Sequence, residues 1–535
     1  MRSKLPIWST IVIAVISFAA GCLIDRQFVS SPAVTDGTDP KVKAILDLIS
    51  REYVDTVNPE DFMERSIPLL LRGLDPHTSY IDGQHSRKTI DEPDGVIPDI
   101  GIVFITINDT LFVECTVPDG PSDKAGIMPG DRIISLDGKS LTEGNMSTGQ
   151  VMRLMSGPNG SKLVMGVHRD GYEKPLAFTI TRDRIKERSI GAYFMMDKTT
   201  GYVKVNRFEG STHNDFVKAL SQLRDEGAKR YLIDLRGNGG GYLAIAVLMA
   251  NEFLPSGQTI VETRGRHKRY EKTYKSDGKG EFQNAEVAVL IDEFSASASE
   301  VFAGALQDND RGLIVGRRSY GKGLVQKDFT LPDSSILRLA VARYHTPSGR
   351  CIQKEFTRDY RQELLKRYHH GEVYSRDSMT IDKSQRFTTR HGRTVYGGGG
   401  IIPDIFVAFD IEGITNYYIE VKNSGLLQRF AYTYCEKNRT TLNQMSDYKQ
   451  FLRTTPIDDT LIKEFADFAS AEGFAPRWGS INQSRDVILT SLKAQVARDI
   501  FGPMAYSYIL NRNDLTVQTA LKALNRHKAA FPITD

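Results

Sequence analysis

The sequence predicts a multidomain protein that combines α/β and α+β units, and three observations lead to this class. The 535 residues exceed what one hydrophobic core usually serves, so two to four compact units are expected. Short strand-like runs separated by Gly and Pro turns occupy residues 91–184, and buried strand patterns alternate with helical ones over residues 202–308. Beyond residue 404 the periodicity is mainly helical. We therefore expect a small β-rich domain ahead of a layered α/β domain, with helical regions at both ends.

Composition and charge exclude several classes of function. The chain has 69 basic and 66 acidic residues, mixed along its length without a basic stripe, so no nucleic-acid partner is expected. The four cysteines lie far apart without a C-x-x-C pair, and the ten histidines form no H-E-x-x-H motif. We therefore expect neither a metal site nor any other cofactor.

Residues 1–25 predict a signal or membrane anchor. The stretch from Leu5 to Ile24 contains no charged residue, and a helix of this length reaches about 30 Å, enough to cross a bilayer. Arg2 and Lys4 precede the stretch, and such positive charges stay on the cytoplasmic side. The remainder of the chain is then expected beyond the membrane, in the periplasm of a Gram-negative cell.

A lipoprotein signal is a second interpretation of the same segment. Small residues at 19–21 directly precede Cys22, which would be acylated after cleavage. Both interpretations tether the chain in the cell envelope. Residues 26–39 predict a flexible spacer, and two runs with helical spacing within residues 40–90 predict a small N-terminal helical unit.

Residues 91–184 predict a compact domain of short strands. The run Ala125–Ile134 leads from a short helix through a Pro-Gly turn into a strand, and a helix around residues 149–155 precedes a final pair of strands. This order of elements resembles a PDZ domain of the type found in bacterial proteases.

The start of the first strand in this domain is the candidate peptide-binding segment. A glycine at this place, Gly101, lets successive backbone N–H groups point towards one spot and bind a carboxylate. The resemblance implies that a peptide C-terminus adds as a strand beside Gly101, Ile102, Val103 and Phe104. Ile102 and Phe104 would then form apolar walls for the terminal side chain. Taken alone, these four residues also fit an ordinary strand that enters a core.

Residues 185–407 predict the α/β domain, and its most informative segment runs from a buried strand ending at Ile291 into a helix that ends at Asp308. A serine in the turn between them would lie beside a helix N-terminus, where the helix dipole and free N–H groups stabilise an oxyanion. By this reasoning Ser295, Ser297 and Ser299 are equal candidates for a nucleophile.

Lys322 is the candidate general base, because no histidine lies in a matching position nearby. It is flanked by two glycines that allow close approach of the backbone. A lysine can accept a proton when loss of solvent lowers the pKa of its amine. Gln326, four residues later, is placed to hydrogen-bond and orient that amine.

Three motifs together carry a resemblance to a known family. They are S-A-S-A-S-E at 295–300, Y-G-K-G-L-V-Q at 320–326 and D-L-R-G-N-G-G-G at 234–241. As a set they resemble the motifs of the C-terminal processing, or tail-specific, serine peptidases, and the resemblance covers residues 39–405. It implies a layered α/β core of the crotonase/Clp-like type behind the PDZ domain.

The resemblance also implies roles for particular residues. The middle serine of S-A-S-A-S is the nucleophile in that family, which implies Ser297 here, with Lys322 as base and Gln326 completing the arrangement. Proteins or peptides with free C-termini are the implied substrates. Because a PDZ domain precedes the core, a resting form in which Lys322 is displaced from Ser297 is also expected.

The glycine-rich turn has more than one interpretation. Its glycines fit an ordinary sharp turn, and the absence of G-x-x-x-x-G-K-[ST] argues against a phosphate loop. The resemblance implies an oxyanion hole formed by the backbone N–H of Ala298 and that of Gly240 or Gly241, with the choice between the glycines open.

Two rival functions remain. A PDZ-bearing His/Asp/Ser protease of the chymotrypsin class would need a G-N-S-G-G loop, but Asn238 is followed by Gly239. An inactive PDZ adaptor would bind C-terminal tails, but the intact candidate catalytic residues argue against it. Residues 408–535 predict a separate helical region without an assigned role, and the sequence leaves a homo-oligomer open.

Overall fold

The computed structural model describes residues 40–83, 98–107, 110–117, 120–141, 148–169, 171–185, 188–356, 362–455 and 459–526. The predicted anchor, the acylation candidate Cys22 and the predicted spacer lie outside the described residues. In the ranges just given, no helix is both long and apolar enough to cross a bilayer. The chain divides into two compact units, with the division after Gly73.

The first unit contains the two predicted N-terminal helices, α1 (Pro40–Glu52) and α2 (Pro59–Leu71). The predicted helical unit extended to residue 90, but the structure differs there. Ser79–Ile81 forms strand β1, which pairs antiparallel with a long strand of the second unit. Backbone pairing of β1 therefore assigns this part of the segment to the second unit.

The β-rich domain forms a twisted antiparallel sheet closed by two short helices. Its elements are β2 (Pro98–Asp99), β3 (Ile102–Ile107), β4 (Thr110–Thr116), α3 (Pro121–Ala125), β5 (Arg132–Leu136), β6 (Lys139–Ser140), α4 (Thr148–Met155), β7 (Lys162–His168), β8 (Leu176–Thr181) and β9 (Asp183–Arg184). The sheet order is β3-β4-β5-β7-β8, with β6 on β5, so β3 is an edge strand. β2 and β9 pair at the entrance and exit of the domain. Apolar side chains from the strands and from α4 form a core of their own.

The central domain is built on a six-stranded sheet in the order β10-β11-β12-β15-β16-β21, which is parallel except for β10. The elements of this layer are β10 (Ile190–Met195), β11 (Thr200–Val205), α5 (Thr212–Asp225), β12 (Arg230–Asp234), α6 (Leu243–Asn251), β15 (Glu286–Ile291), α7 (Ala298–Asp308), β16 (Leu313–Gly316) and β21 (Ile405–Phe406). Helices connect the parallel strands, as the alternating pattern predicted.

Both faces of this sheet are buried, because successive strand residues point to opposite sides. Ile233 and Val289 pack under α5, α6 and α7 on one face. Leu232 and Leu290 face the other side, where the last described helix, Leu515–Arg526, covers them.

A second sheet has the order β1-β18-β13-β14, with β17 on β18. It contains β13 (Thr259–Gly265), β14 (Lys272–Lys275), β17 (Leu324–Thr330) and β18 (Ile336–His345). A helix α8 (Glu363–His369), a hairpin of β19 (Arg386–Thr388) and β20 (Thr394–Tyr396), and three short 3₁₀ helices complete this part of the described chain. β17 matters for the site because it begins two residues after Lys322 and contains Gln326.

The C-terminal region is helical, with its own core of aromatic and aliphatic side chains. Its helices are α9 (Asn416–Asn423), α10 (Leu426–Leu442), α11 (Tyr448–Thr454), α12 (Asp459–Ala471), α13 (Trp478–Gln483), α14 (Arg485–Phe501), α15 (Pro503–Asn513) and α16 (Leu515–Arg526). The sequence predicted a separate region from residue 408, but α16 does not belong to the core of the other helices. Val517, Ala520 and Leu524 pack on the central sheet instead.

Candidate active site

The turn between β15 and α7 holds Ser297 in an unusual backbone conformation. Its φ is +57°, a region that a residue with a Cβ rarely adopts and that costs about 1–3 kcal/mol. Its N–H donates to Glu300 Oε2 at 2.8 Å, and its carbonyl accepts the N–H groups of Glu300 and Val301. The residue is therefore held at the N-terminus of α7 by contacts on both of its peptide groups.

The three serines of this turn have different surroundings. Ser295 Oγ donates to the carbonyl of Leu235 at 2.8 Å, and Ser299 Oγ donates to the carbonyl of Asn238 at 2.9 Å. Both side chains are fully buried and bind the turn to the preceding strand and loop. The side chain of Ser297 instead contacts the phenol of Tyr344, on β18. Ser295 and Ser299 thus bind distant backbone carbonyls, whereas Ser297, at the N-cap of α7, has its side chain against Tyr344.

The glycine-rich turn lies beside this serine because β12 and β15 are parallel neighbours that end at the same edge of the sheet. Asn238 joins the two turns. Its carbonyl accepts the N–H of Ala296, and its amide Nδ2 donates to the carbonyl of Val205. A Cβ on Gly240 would come within 2.8 Å of Ser297 Cβ, so only glycine allows this approach.

The amides predicted for the oxyanion hole are not equivalent. The N–H of Gly240 donates to Asn238 Oδ1 at 2.8 Å, which occupies it in this conformation. In the described part of the chain, the N–H groups of Ala298 and Gly241 donate to no protein acceptor. Ala298 is the first residue of α7, where the helix leaves its first N–H groups unpaired.

A single buried carboxylate connects the serine turn to the lysine loop. Glu300 is fully buried, and its Oε2 accepts the N–H of Ser297 and that of Lys322, both at 2.8 Å. Its Oε1 accepts the N–H of Gly321 at 2.7 Å and the hydroxyl of Ser319 at 2.5 Å. Burial raises the pKa of Glu300, and these four hydrogen bonds oppose that rise. Both oxygens of Glu300 must therefore act as acceptors in all four hydrogen bonds. An ionised carboxylate does so, whereas a protonated carboxyl would place an O–H against a donor.

The surroundings of Lys322 favour the uncharged amine. Burial is the main cause that lowers the pKa of Lys322, and the positive charge of Arg338 adds to it, while Glu300 and Asp75 act in the opposite direction. Within the described residues, no hydrogen bond joins Lys322 Nζ to Ser297 Oγ. The lysine is thus desolvated near the serine without being bound to it.

Gln326 is fixed by a neighbour that the sequence did not single out. Its Nε2 donates to the carbonyl of His77 at 2.7 Å. The segment around His77 is itself ordered by Asp75, whose carboxylate accepts the N–H groups of His77 and Thr78. Burial is the main cause that lowers the pKa of His77 to about 4, and Lys322 adds to the lowering only while it is protonated, so this imidazole is neutral at neutral pH. A segment some 250 residues upstream of Gln326 therefore forms one wall of the site.

The candidate peptide-binding residues lie on and next to the edge strand of the β-rich domain. Gly101 has a φ of +73° directly before β3, a conformation that suits glycine. Val103 is 46% exposed, while Ile102 and Phe104 are partly buried against the domain core. Among the described strands, β3 pairs only with β4, which leaves its other edge available.

Besides His77, sequence reasoning missed Glu300 and Asn238. A signal for Glu300 was present, because Ser297 and Glu300 have the S-x-x-E spacing of a capping box. Nothing local distinguishes Asn238 from a turn residue, because its partners come from other strands.

Comparisons with known proteins agree with this architecture. Residues 199–362 match peptidase family S41, residues 112–169 match a PDZ domain, and residues 417–502 match a family of unknown function. The carboxy-terminal-processing protease of Bartonella bacilliformis is 35% identical over 315 residues, which cover 58% of this chain and 71% of that protein. The carboxy-terminal processing protease CtpB of Bacillus subtilis is 32% identical over 321 residues, covering 59% and 65%. Among solved structures, a photosystem II D1 C-terminal processing protease has 23% identity and a TM-score of 0.36, covering 68% of this chain and 92% of that one.

The fold and these matches define a serine protease that carries a PDZ domain ahead of its protease domain. The chain belongs to peptidase family S41, among the carboxy-terminal-processing proteases.

Proposed function

We propose that this protease is a membrane-tethered, periplasmic endopeptidase that recognises its substrates by their C-terminal tails. Ser297 is the nucleophile, Lys322 the general base, and Gln326 the group that orients the lysine. One observation carries the assignment. The buried carboxylate of Glu300 binds the N–H of Ser297 and the N–H of Lys322, and so holds the two segments together.

The proposed reaction begins with proton transfer from the Ser297 hydroxyl to the neutral amine of Lys322. Ser297 Oγ then attacks the peptide carbonyl, and the developing oxyanion binds the free N–H groups of Ala298 and Gly241. The leaving amine takes its proton from the Lys322 ammonium, which leaves an acyl-enzyme. Lys322 next removes a proton from water, and the resulting hydroxide attacks the acyl carbonyl. The bond between that carbonyl carbon and Ser297 Oγ then breaks, and Oγ takes the proton of the Lys322 ammonium, which releases the acid and restores both side chains.

A small movement precedes this chemistry in the proposal. We propose that the described conformation, in which no hydrogen bond joins Ser297 and Lys322, is a resting form. Gln326 Nε2 donates to the carbonyl of His77, which fixes the amide group of this side chain. Its amide oxygen then accepts a hydrogen bond from the Lys322 amine in the proposal. Tyr344, whose pKa burial raises to about 12, stays protonated beside Ser297 throughout.

Tail recognition is assigned to β3. Its free edge and the glycine at its start suit an extended peptide that adds as a strand, with its carboxylate at the N–H groups that follow Gly101. Ile102 and Phe104 lie on the face of β3 that packs on the domain core, which supports their role as walls for an apolar terminal side chain.

The test uses the full-length chain and two versions of one carrier protein, with a free apolar tail or with a tail that ends in two aspartates. Cleavage of the first carrier is expected to be faster. Ser297→Ala and Lys322→Ala should reduce cleavage to background. Ser295→Ala and Ser299→Ala are matched controls that should retain turnover while losing about 1–2 kcal/mol of stability, because each removes a buried hydrogen bond. Turnover that survives Ser297→Ala, or equal rates on both carriers, rejects the proposal.

The tether is tested separately, since it depends on residues 1–25. Fractionation should place the chain with membranes, and protease added to spheroplasts should digest it. Labelling with a radioactive fatty acid distinguishes the two forms of anchor. Label that is lost in Cys22→Ala indicates a lipoprotein, and membrane association without label indicates a spanning helix. Recovery in the cytosolic fraction contradicts both.

A further inference from the structure

The C-terminal helical region contacts the PDZ domain through a small, specific surface. We define the clamp surface as Arg429 and Tyr432 on α10 and Arg498 on α14. These residues face Phe112 and Glu114 of β4 and the Gly130 turn before β5. The two sides are more than 290 residues apart in sequence, so the contact is a tertiary feature that joins two domains.

A close packing contact lies at the centre of the clamp surface. A Cβ on Gly130 would lie 2.5 Å from ring atoms of Tyr432, so the ring packs directly on the glycine backbone. Tyr432 is only 5% exposed, although it lies on the outer side of its own helix bundle towards another domain. Glycine therefore serves two purposes at position 130, a left-handed turn with φ of +89° and room for the ring.

Charged and aromatic contacts surround this centre. Arg498 donates to Glu114 Oε1 at 3.2 Å, with both side chains largely buried. The guanidinium of Arg429 lies 5.1 Å from the centre of the Phe112 ring, and two hydrogen bonds of 2.8 Å to Glu472 fix its orientation. A preoriented guanidinium on an aromatic face is a favourable contact in a desolvated place.

The contacts of the clamp surface do not cover the peptide-binding edge of the PDZ domain. They lie on β4 and on the turn before β5, whereas the edge available for a peptide is β3. Beside the Arg498–Glu114 pair, a cavity of about 680 Å³ is lined by residues of the PDZ domain, the protease domain and the C-terminal helices. Gly237 and Asp292 of the two active-site turns are among its lining residues.

We propose that the C-terminal helical region, which matches a family of unknown function, holds the PDZ domain against the protease domain while leaving β3 open for a substrate tail. Because the clamp surface fixes the PDZ domain, a substrate whose tail is bound to β3 is held where its polypeptide can reach Ser297. This inference rests on the proposed tail-recognising function and adds a role for the region from residue 417 to 502.

The test reverses the Arg498–Glu114 ion pair in the full-length chain. Arg498→Glu and Glu114→Arg should each lower kcat/KM on the carrier with a free apolar tail at least about fivefold, because like charges then face each other across the interface. The double variant should recover most of that loss. Arg485→Glu, on the same helix but paired at the exposed surface with Asp459, is the matched control and should leave the rate unchanged.

Two further readouts separate the clamp from a folding defect and from the proposed function itself. Cleavage of a short internal peptide without a tail should change less than twofold in the single variants. Binding of a fluorescent tail peptide, measured on a Ser297→Ala background, should also be unchanged. The clamp is overturned if the single variants lose kcat/KM equally on both substrates or cleave the tailed carrier faster. It is also overturned if the double variant recovers none of the lost kcat/KM. A wild-type chain that does not prefer the free tail rejects the proposed function instead.

Discussion

Lys322 is the residue whose protonation should set the pH dependence of hydrolysis. Only the neutral amine accepts a proton, so kcat/KM should rise with pH through the pKa of Lys322, which burial lowers. Arg338→Ala removes a nearby positive charge, so it should raise the pKa of Lys322. The rising limb of the plot of kcat/KM against pH should therefore move to higher pH. Arg224→Ala, on the protease surface, is the control and should leave the limb in place. The shift should shrink at high salt, because the charges are screened. A limb that stays fixed in Arg338→Ala would remove Lys322 from the role of base.

Replacement of Glu300 should move the pH dependence of hydrolysis in the opposite direction. Glu300→Gln keeps the shape of the side chain but removes a negative charge that favours the lysine ammonium, so the rising limb should move to lower pH. The NH₂ group of the glutamine would also face backbone N–H groups and find no acceptor there. A buried donor without a partner lowers the free energy of unfolding by about 1–3 kcal/mol. We expect kcat to fall by about 10- to 100-fold through misplacement of the two segments. A lower kcat with an unmoved limb would indicate that Glu300 acts only in folding.

At the scale of elements, the glycine-rich turn approaches the serine turn so closely that Gly240 has no room for a side chain. Gly240→Ala would put a methyl group 2.7 Å from the carbonyl oxygen of Ala296 and would also strain a φ of +102°. Hydrolysis should fall more than tenfold, with a lower melting temperature. Gly239→Ala is the matched control one residue away, because a Cβ there meets nothing within 4 Å. Equal activity of the two variants in a peptide assay would contradict the close approach.

At the scale of the whole molecule, α16 determines whether the central sheet is covered on both faces. Val517 is fully buried between this helix and the sheet, so Val517→Asp would place a carboxylate in an apolar layer at a cost of several kcal/mol. We expect a large loss of soluble protein and a lower melting temperature. Lys522→Asp on the exposed side of the same helix should behave like the wild type. Normal stability of Val517→Asp would mean that the sheet does not depend on α16.

Local sequence patterns were sufficient to predict the order of the PDZ and protease domains and the main elements. The buried strand predicted to end at Ile291 and the helix predicted to end at Asp308 have these ends in the structure, because apolar runs and helical spacing are local properties. The motif spacing likewise placed Ser297, Lys322 and Gln326 on segments that the fold brings to one region. Local pattern alone, however, left three serines equal.

The resemblance implied Ser297, but the contacts that set this serine apart exist only in the tertiary structure, because Ser295 and Ser299 donate to carbonyls some 60 residues away along the chain. The same holds for the bridge through Glu300 and for the helix α16 that closes the sheet from the far end of the chain. Periodicity reports which side chains face inward but not which distant segment they meet. Contacts between remote segments depend on how the layers pack, and packing is decided only when the whole chain has folded.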